Sequence, residues 1–317
     1  TLCFGLGGLT LIAAIGLTVM QVGRAPQLVE IAYSPRIRTL VEASTRTGAS
    51  DRCQGAVDNA VSKDCRIGAK DIQPTLALWG DSYADAIQAE LSSSLGRSSG
   101  YAFILQSCPS ILGAKRVDER KDFVSIGQKC EQFTTAVFRK LSTSPEIRTV
   151  VLFSAYTAFI DRKPIRLVAQ GQEAMPDDQR KQELIKLTAE TAAALSRMGK
   201  KVILVGALHS ARHLGANDLL RQTMRTKSDV TAAKVNLDVY DSDTLYINTE
   251  LSSRLPPEVV LINPKELFCK PDSVECDYAP GGQPLMIDDG HLSALGARLL
   301  VTKILKAVPE QQFLSGL

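Results

Sequence analysis

Residues 75–85 read TLALWGDSYAD, an apolar run that stops at Gly80-Asp81-Ser82. The run suits a short strand buried on both faces, and glycine and aspartate suit the turn that ends it. Ser and Asp are also common helix caps, so a helix is expected to start here. Two readings follow. One is an ordinary strand–turn–helix junction. The other is a nucleophile, Ser82, held at the carboxyl end of a strand where a helix N-terminus offers N–H groups and positive dipole to a developing oxyanion. Choosing between them requires a base elsewhere in the chain.

Working outward from this junction, further apolar runs recur at YAFILQ (101–106), RTVVLFS (148–154), KVILVGAL (201–208) and EVVLIN (258–263). Their β-branched content and length predict strands of a parallel sheet. Helical stretches lie between them. Over 180–198, Leu184, Leu187, Thr191, Leu195 and Met198 trace one face, and Gly199 stops the helix. The βαβα order predicts an α/β fold, a doubly wound and mainly parallel five-stranded sheet sandwiched by helices, over residues 73–317. Such sheets bind ligands beyond the carboxyl ends of their strands, which is where Ser82 falls.

The chain has only three histidines, so the search for a base is short. His291 lies in LMIDDGHLSALGARLL, with Asp288 three residues before it and an apolar helix after it. One tight turn can then hold a carboxylate against one imidazole nitrogen and leave the other to deprotonate a serine. Asp289 is the alternative acid. A plain capping turn led by Ser293 is the competing reading of the same residues. His209 and His213 share a helical i, i+4 spacing that a metal could use, but no third ligand is visible, and solvated loop histidines are the expectation for both.

Composition narrows the class. Of 317 residues, 44% are hydrophobic, and 37 basic against 34 acidic residues leave a net charge of +3. Without a basic run or an aromatic ladder, nucleic acid is not an expected partner. No GxGxxG or P-loop glycine pattern is present, so no nucleotide site and no cofactor is expected in this domain. Residues 1–23 carry no charge until Arg24, which predicts a membrane-spanning helix, the last of a longer membrane part. Residues 24–72 are polar and show no strand rhythm, and read as a linker packing on the next domain. Beyond Cys3, six cysteines fall into near neighbours, Cys53 with Cys65, Cys108 with Cys130 and Cys269 with Cys276. An even set of this kind points to disulfides and an oxidising compartment, and the local pairing is the simplest. It outweighs the weak cytoplasmic hint of Arg24, Arg36 and Arg38.

Gly-Asp-Ser after the first strand and Asp-x-x-His before the last helix resemble the SGNH (GDSL-like) hydrolase family, over roughly residues 73 to 307. The resemblance implies Ser82 as nucleophile, His291 as general base and Asp288 as orienting acid. It also implies an oxyanion hole from the Ser82 amide and a second-loop glycine, here Gly113, although the Ser107 or Cys108 amides would serve equally. The family's third-loop asparagine is missing, because RTVVLFS is followed by SAYTAFIDRK. A Gly-Ala-Asn-Asp occurs at 215–218, after a later strand, and Asn217 is treated as a decoy.

Cys108-Pro109, the cysteine pairs and Asp288-Asp289-Gly290-His291-Leu292-Ser293 resemble the C-terminal domains of bacterial acyltransferase-3 membrane proteins. Tyr83 stands where many of those relatives have histidine, and is expected to alter the rim of the pocket and not the triad. This second resemblance implies O-acetylation of a cell-surface glycan such as lipopolysaccharide O-antigen. The acetyl group would come from cytoplasmic acetyl-CoA through an acyltransferase-3 domain of the same chain. Residues 24–317 would then be periplasmic, anchored to the inner membrane. A glycan O-acetylesterase and a non-catalytic glycan-binding domain are the alternatives.

Overall fold

The computed structural model describes residues 35–45, 53–118, 124–161, 165–169, 176–210, 212–226, 234–236, 242–270, 273 and 275–308. The expected membrane helix at 1–23 lies outside these residues. Among the described residues, no helix is long and apolar enough to cross a membrane.

The first strand of the expected series is β2 (Leu76–Gly80), in the middle of a six-stranded sheet. On one side it pairs in parallel with β3 (Ser99–Ile104), on the other with β5 (Thr149–Phe153). The sheet continues in parallel through β7 (Lys201–Val205) to β9 (Val260–Ile262). All five expected strands are therefore present. A sixth was not expected: β1 (Ile67–Gly68), inside the presumed linker, pairs antiparallel with β3 at the sheet's edge. Its two residues are too short to show a period. Ala69 N–H donates to Ser98 O and Gly55 N–H to Ile104 O, so the segment follows β3 along its length.

Because the chain leaves β2 toward β3 on one side and later returns to β5 on the other, the ends of β2 and β5 form the switch point where α/β sheets open a crevice. Gly80 is required there. A Cβ on it would lie 1.8 Å from Phe153 O and 2.8 Å from the Ala84 Cβ, so only glycine lets the two strand ends close up. Trp79, Phe103, Phe153, Val151 and Leu204 are fully buried between the helical layers. Helix α3 (Ser82–Ser94) packs against α10 (Ala294–Ala307) on one face, while α6 (Asp177–Arg197) packs on β7. Gly199, at φ +77°, takes the left-handed conformation that ends α6.

Described residues ahead of β2 also touch this body. Helix α1 (Pro35–Ala43) buries Leu40 and lies against α7 (Ala216–Thr226), and Arg36 donates to Gly282 O. Two small antiparallel ladders, β4 (Ala114–Asp118) with β6 (Ile165–Ala169) and β8 (Lys234–Asn236) with β10 (Glu275–Asp277), extend the fold beyond the sequence reading. All three local disulfides are formed, Cys53–Cys65, Cys108–Cys130 and Cys269–Cys276.

Candidate active site

Ser82 is the first residue of α3, and Asp81 before it is the cap, its carboxylate accepting from Tyr83 N–H at 3.0 Å. The serine therefore stands at the helix N-terminus, where backbone N–H groups of the first turn point along the axis toward it. At the other end of the chain, the tight turn 286–292 is closed by a bridge between Met286 and Leu292 and by Ile287 N–H donating to His291 O at 2.7 Å. Ser293 caps the following helix by accepting from Gly296 N–H, and donates to Pro284 O. The capping reading of this stretch is thus true and coexists with a second role.

That role is geometric. His291 Nε2 is 3.0 Å from Ser82 Oγ, across 209 positions of sequence. His291 Nδ1 is 2.8 and 3.0 Å from the two carboxylate oxygens of Asp288. With the carboxylate on Nδ1, that nitrogen carries the proton and Nε2 is left to accept from the serine. Burial alone would raise the Asp288 carboxyl, but the His291 ring and the Gly290 and His291 N–H groups hold it well below the usual carboxylate range. Asp289 is the neighbour that does not reach the imidazole. It is exposed and accepts from His213 N–H at 3.4 Å.

Tyr83 lines the cleft although only 7% of it is exposed, and its ring lies 5.6 Å from the His291 ring and 5.6 Å, at a steep angle, from that of Phe153, so it packs beside the imidazole. A side chain at Gly290 would meet the Tyr83 hydroxyl at 2.5 Å. The aromatic ring is in the core because α3 turns this face toward the end of β5.

Asp81 carries a task beyond capping that the sequence did not announce. It is fully buried and also accepts from Ala155 N–H at 3.0 Å, so one carboxylate ties the serine's helix to the loop after β5. Burial pushes its pKa up to about 6, against the opposing hydrogen bonds from Tyr83 and Ala155. The Ala155 N–H is therefore committed and is not an oxyanion donor. Ser154 and Ser110, linked Oγ to Oγ at 3.1 Å, join the same loop to the one after β3.

Ser82 opens into a cleft of about 560 Å³, within the usual range for small-molecule sites. Its apolar lining includes Ala155, Ala158 and Phe159, from the segment after β5 that lacks the family's asparagine. Gly113 is not among the lining residues; it is exposed and its open side faces Leu187. Ser107 does line the cleft, and holds a φ of 56°, a left-handed conformation that costs a non-glycine residue energy and often marks a functional backbone. Cys108, next to it, is fully buried in its disulfide, and its N–H is taken by Leu105 O.

Asn217 is no decoy in position. It lines the cleft with His213, Asp218 and Arg221. Its N–H donates to Ile287 O at 2.9 Å, that of Ala216 to Met286 O at 2.8 Å, and a Cβ at Gly215 would lie 2.9 Å from the Asp288 Cα. The loop before α7 thus leans directly on the Asp288–His291 turn. His209 corrects the expectation of a solvated loop. It is fully buried because it continues the buried run Val205–Leu208 off the end of β7, whereas His213 is exposed.

A serine, an imidazole and a carboxylate in relay at the switch point of a parallel sheet match one known arrangement. The profile of a family described as the SGNH domain, fused to AT3 domains, matches residues 52–306. The chain belongs to this SGNH domain family. Among solved structures, the domain is similar to the lipopolysaccharide acetyltransferase periplasmic domain of Salmonella ser. Paratyphi A, at 15% identity and a TM-score of 0.54 over 81% of this chain and 90% of that one. A Bacteroides fragilis NCTC 9343 protein assigned as an acylhydrolase aligns at 12% identity and a TM-score of 0.45, over 78% of this chain and 91% of that one. Comparison with curated protein sequences gives no match. The match beginning at residue 52 takes the Cys53–Cys65 segment into the SGNH domain, ahead of the boundary at 73 read from the sequence.

Proposed function

We propose that this SGNH domain is the periplasmic, serine-dependent O-acetyltransferase module of an inner-membrane protein. It would pass an acetyl group through Ser82 to a sugar hydroxyl of a surface glycan such as O-antigen. The observation that carries the reading is the 3.0 Å contact of Ser82 Oγ with His291 Nε2, with Asp288 on the far nitrogen. Ser82 Oγ attacks the acyl carbonyl while His291 Nε2 takes the serine proton. His291 returns that proton to the leaving group, which departs and leaves the acetyl ester on Ser82. A sugar hydroxyl then gives its proton to His291 and attacks the ester, and Ser82 Oγ is expelled and reprotonated. The Ser82 N–H and the Ser107 N–H are the donors to the tetrahedral oxyanion in this reading. The domain needs no cofactor of its own, and an AT3 membrane domain in the same chain supplies acetyl drawn from acetyl-CoA.

Water in place of sugar would make the same site an esterase. Fusion to AT3 domains, the habit of the family, favours transfer. The test is glycan acetylation in cells that express the full-length protein, its Ser82→Ala variant or the SGNH domain alone. Acetylated glycan is expected only from the unmodified full-length protein. Acetylation by Ser82→Ala cells would remove the acyl-enzyme from the route. In vitro, Ser82→Ala and His291→Ala should each abolish hydrolysis of p-nitrophenyl acetate, and the double variant should lose little more, because the relay acts as a unit.

A further inference from the structure

The residues that line the cleft fall into a polar and an apolar set, and the direction of proton transfer assigns each a substrate half. In the second step the attacking hydroxyl must reach His291 Nε2, so the acceptor has to enter on the side of the turn that carries the imidazole. The wall built on that turn is polar: Asn217, Asp218, Arg221, His213 and Asp289. The apolar lining residues, Ala155, Ala158 and Phe159, come from the separate segment after β5 and suit the methyl of an acetyl ester. From these residues we infer that Asn217, Asp218 and Asp289 form the acceptor subsite and select an uncharged, polyhydroxylated sugar over an acidic one. The inference rests on the acyl-enzyme reading above and adds the class of acceptor and the residues that choose it.

Three features support it. First, the wall is fixed with respect to the base. The hydrogen bonds of Ala216 and Asn217 to the carbonyls of Met286 and Ile287, and of His213 N–H to Asp289, hold it against the turn that orients His291. A hydroxyl bound there keeps a constant distance to Nε2, as an effective transfer step requires. Second, the side chains are planar amide, carboxylate and guanidinium groups with several donors and acceptors each, the kind that hold neighbouring hydroxyls in pairs. Third, the charge is one-sided. Asp218 is paired with Arg221 at 3.0 Å, and Asp81, Asp288 and Asp289 line the same cleft, so carboxylates outnumber the single guanidinium. A uronic acid would bring one more negative charge into this field, and like charge across a recognition surface is a means of excluding the wrong partner.

The experiment reads partition rather than rate. The protein would be acetylated with p-nitrophenyl acetate in the presence of neutral methyl hexosides or their methyl uronides, and acetylated sugar measured against acetate released. This ratio is a property of each acyl-enzyme and is independent of the fraction of variant that folds. Neutral sugars should divert acetyl at least tenfold better than uronides, and Asn217→Ala should lower that diversion about tenfold. Asp218→Asn combined with Asp289→Asn should raise uronide diversion relative to neutral sugar. Uronides that serve as well as neutral sugars, no diversion by any sugar, or an Asn217→Ala ratio equal to wild type would each overturn the inference. Saturation-transfer NMR on Ser82→Ala protein separates this failure from that of the acyl-enzyme. Neutral hexosides should still bind there and lose binding with Asn217→Ala, whatever becomes of the chemistry at Ser82, and no Asn217-dependent binding overturns the subsite by itself.

Discussion

Asp81 shows how one carboxylate can serve the fold at some cost to stability. Its ordinary pKa of 3.8 is raised to about 6 because it is buried, and the charged form is the one penalised. Between about pH 4 and 6 the native protein therefore keeps a proton that the unfolded chain has released. The native state binds more protons in that window, so stability falls as pH rises through it, by about 3 kcal/mol for such a shift. Asp288 works in the opposite sense. Its lowered pKa contributes stability that is present above the unfolded value and lost only as pH falls below it. Asp81→Asn should therefore flatten the decline in melting temperature between pH 4 and 6, measured by calorimetry, while the loss of stability at lower pH remains. An unchanged slope would show that Asp81 is not the titrating group. Among single residues, Ser82, His291 and Asp288 could be picked out because each belongs to a short motif whose chemistry is local. The clamp by Asp81 could not, since its partner Ala155 is 74 positions away and offers only a backbone N–H.

At the scale of elements, what could be read followed from length and periodicity. The five parallel strands announced themselves through β-branched apolar runs, and α6 through its periodic face and terminal glycine. The two residues of β1, Lys234-Val235-Asn236 of β8 and the strands of the β4–β6 ladder, interrupted by Lys115, Arg116 and Arg166, carry no unbroken β-branched run and exist because a neighbour pairs with them. The position of the loop between β7 and α7 is hidden for a related reason. Its place in chain order hides that it packs on a turn formed more than sixty residues later, as the contact of Gly215 with Asp288 shows. Gly215→Ala puts a methyl where the Asp288 backbone now lies, and the turn that holds the base has to give. A destabilisation of about 1–3 kcal/mol is expected from overpacking. Hydrolysis of p-nitrophenyl acetate should fall further than stability implies, roughly 10- to 100-fold, because a small displacement of the base is enough. Thermal melting and steady-state kinetics on one preparation check both halves. Full activity in a destabilised variant would uncouple the loop from the catalytic turn.

For the whole molecule, the extension ahead of β2 decides how the domain behaves in solution. Ile67 and Gly68 pair with Gly100 and Ser99, and the backbone of Gly55 and Ala69 takes the carbonyls at either end of β3. This short segment pairs with the two ends of a strand that would otherwise be an open β-edge. A bare edge is a template for further strands, and natural sheets cover such edges to avoid intermolecular pairing. A protein begun at residue 73, at the first strand legible in the sequence, would keep Ser82, Asp288 and His291 yet present β3 to its neighbours. It should self-associate with rising concentration, whereas one begun at residue 35 should stay monodisperse, which light scattering across a dilution series would reveal. The few residues of β1 would then act less as part of the catalytic machinery than as a guard against aggregation.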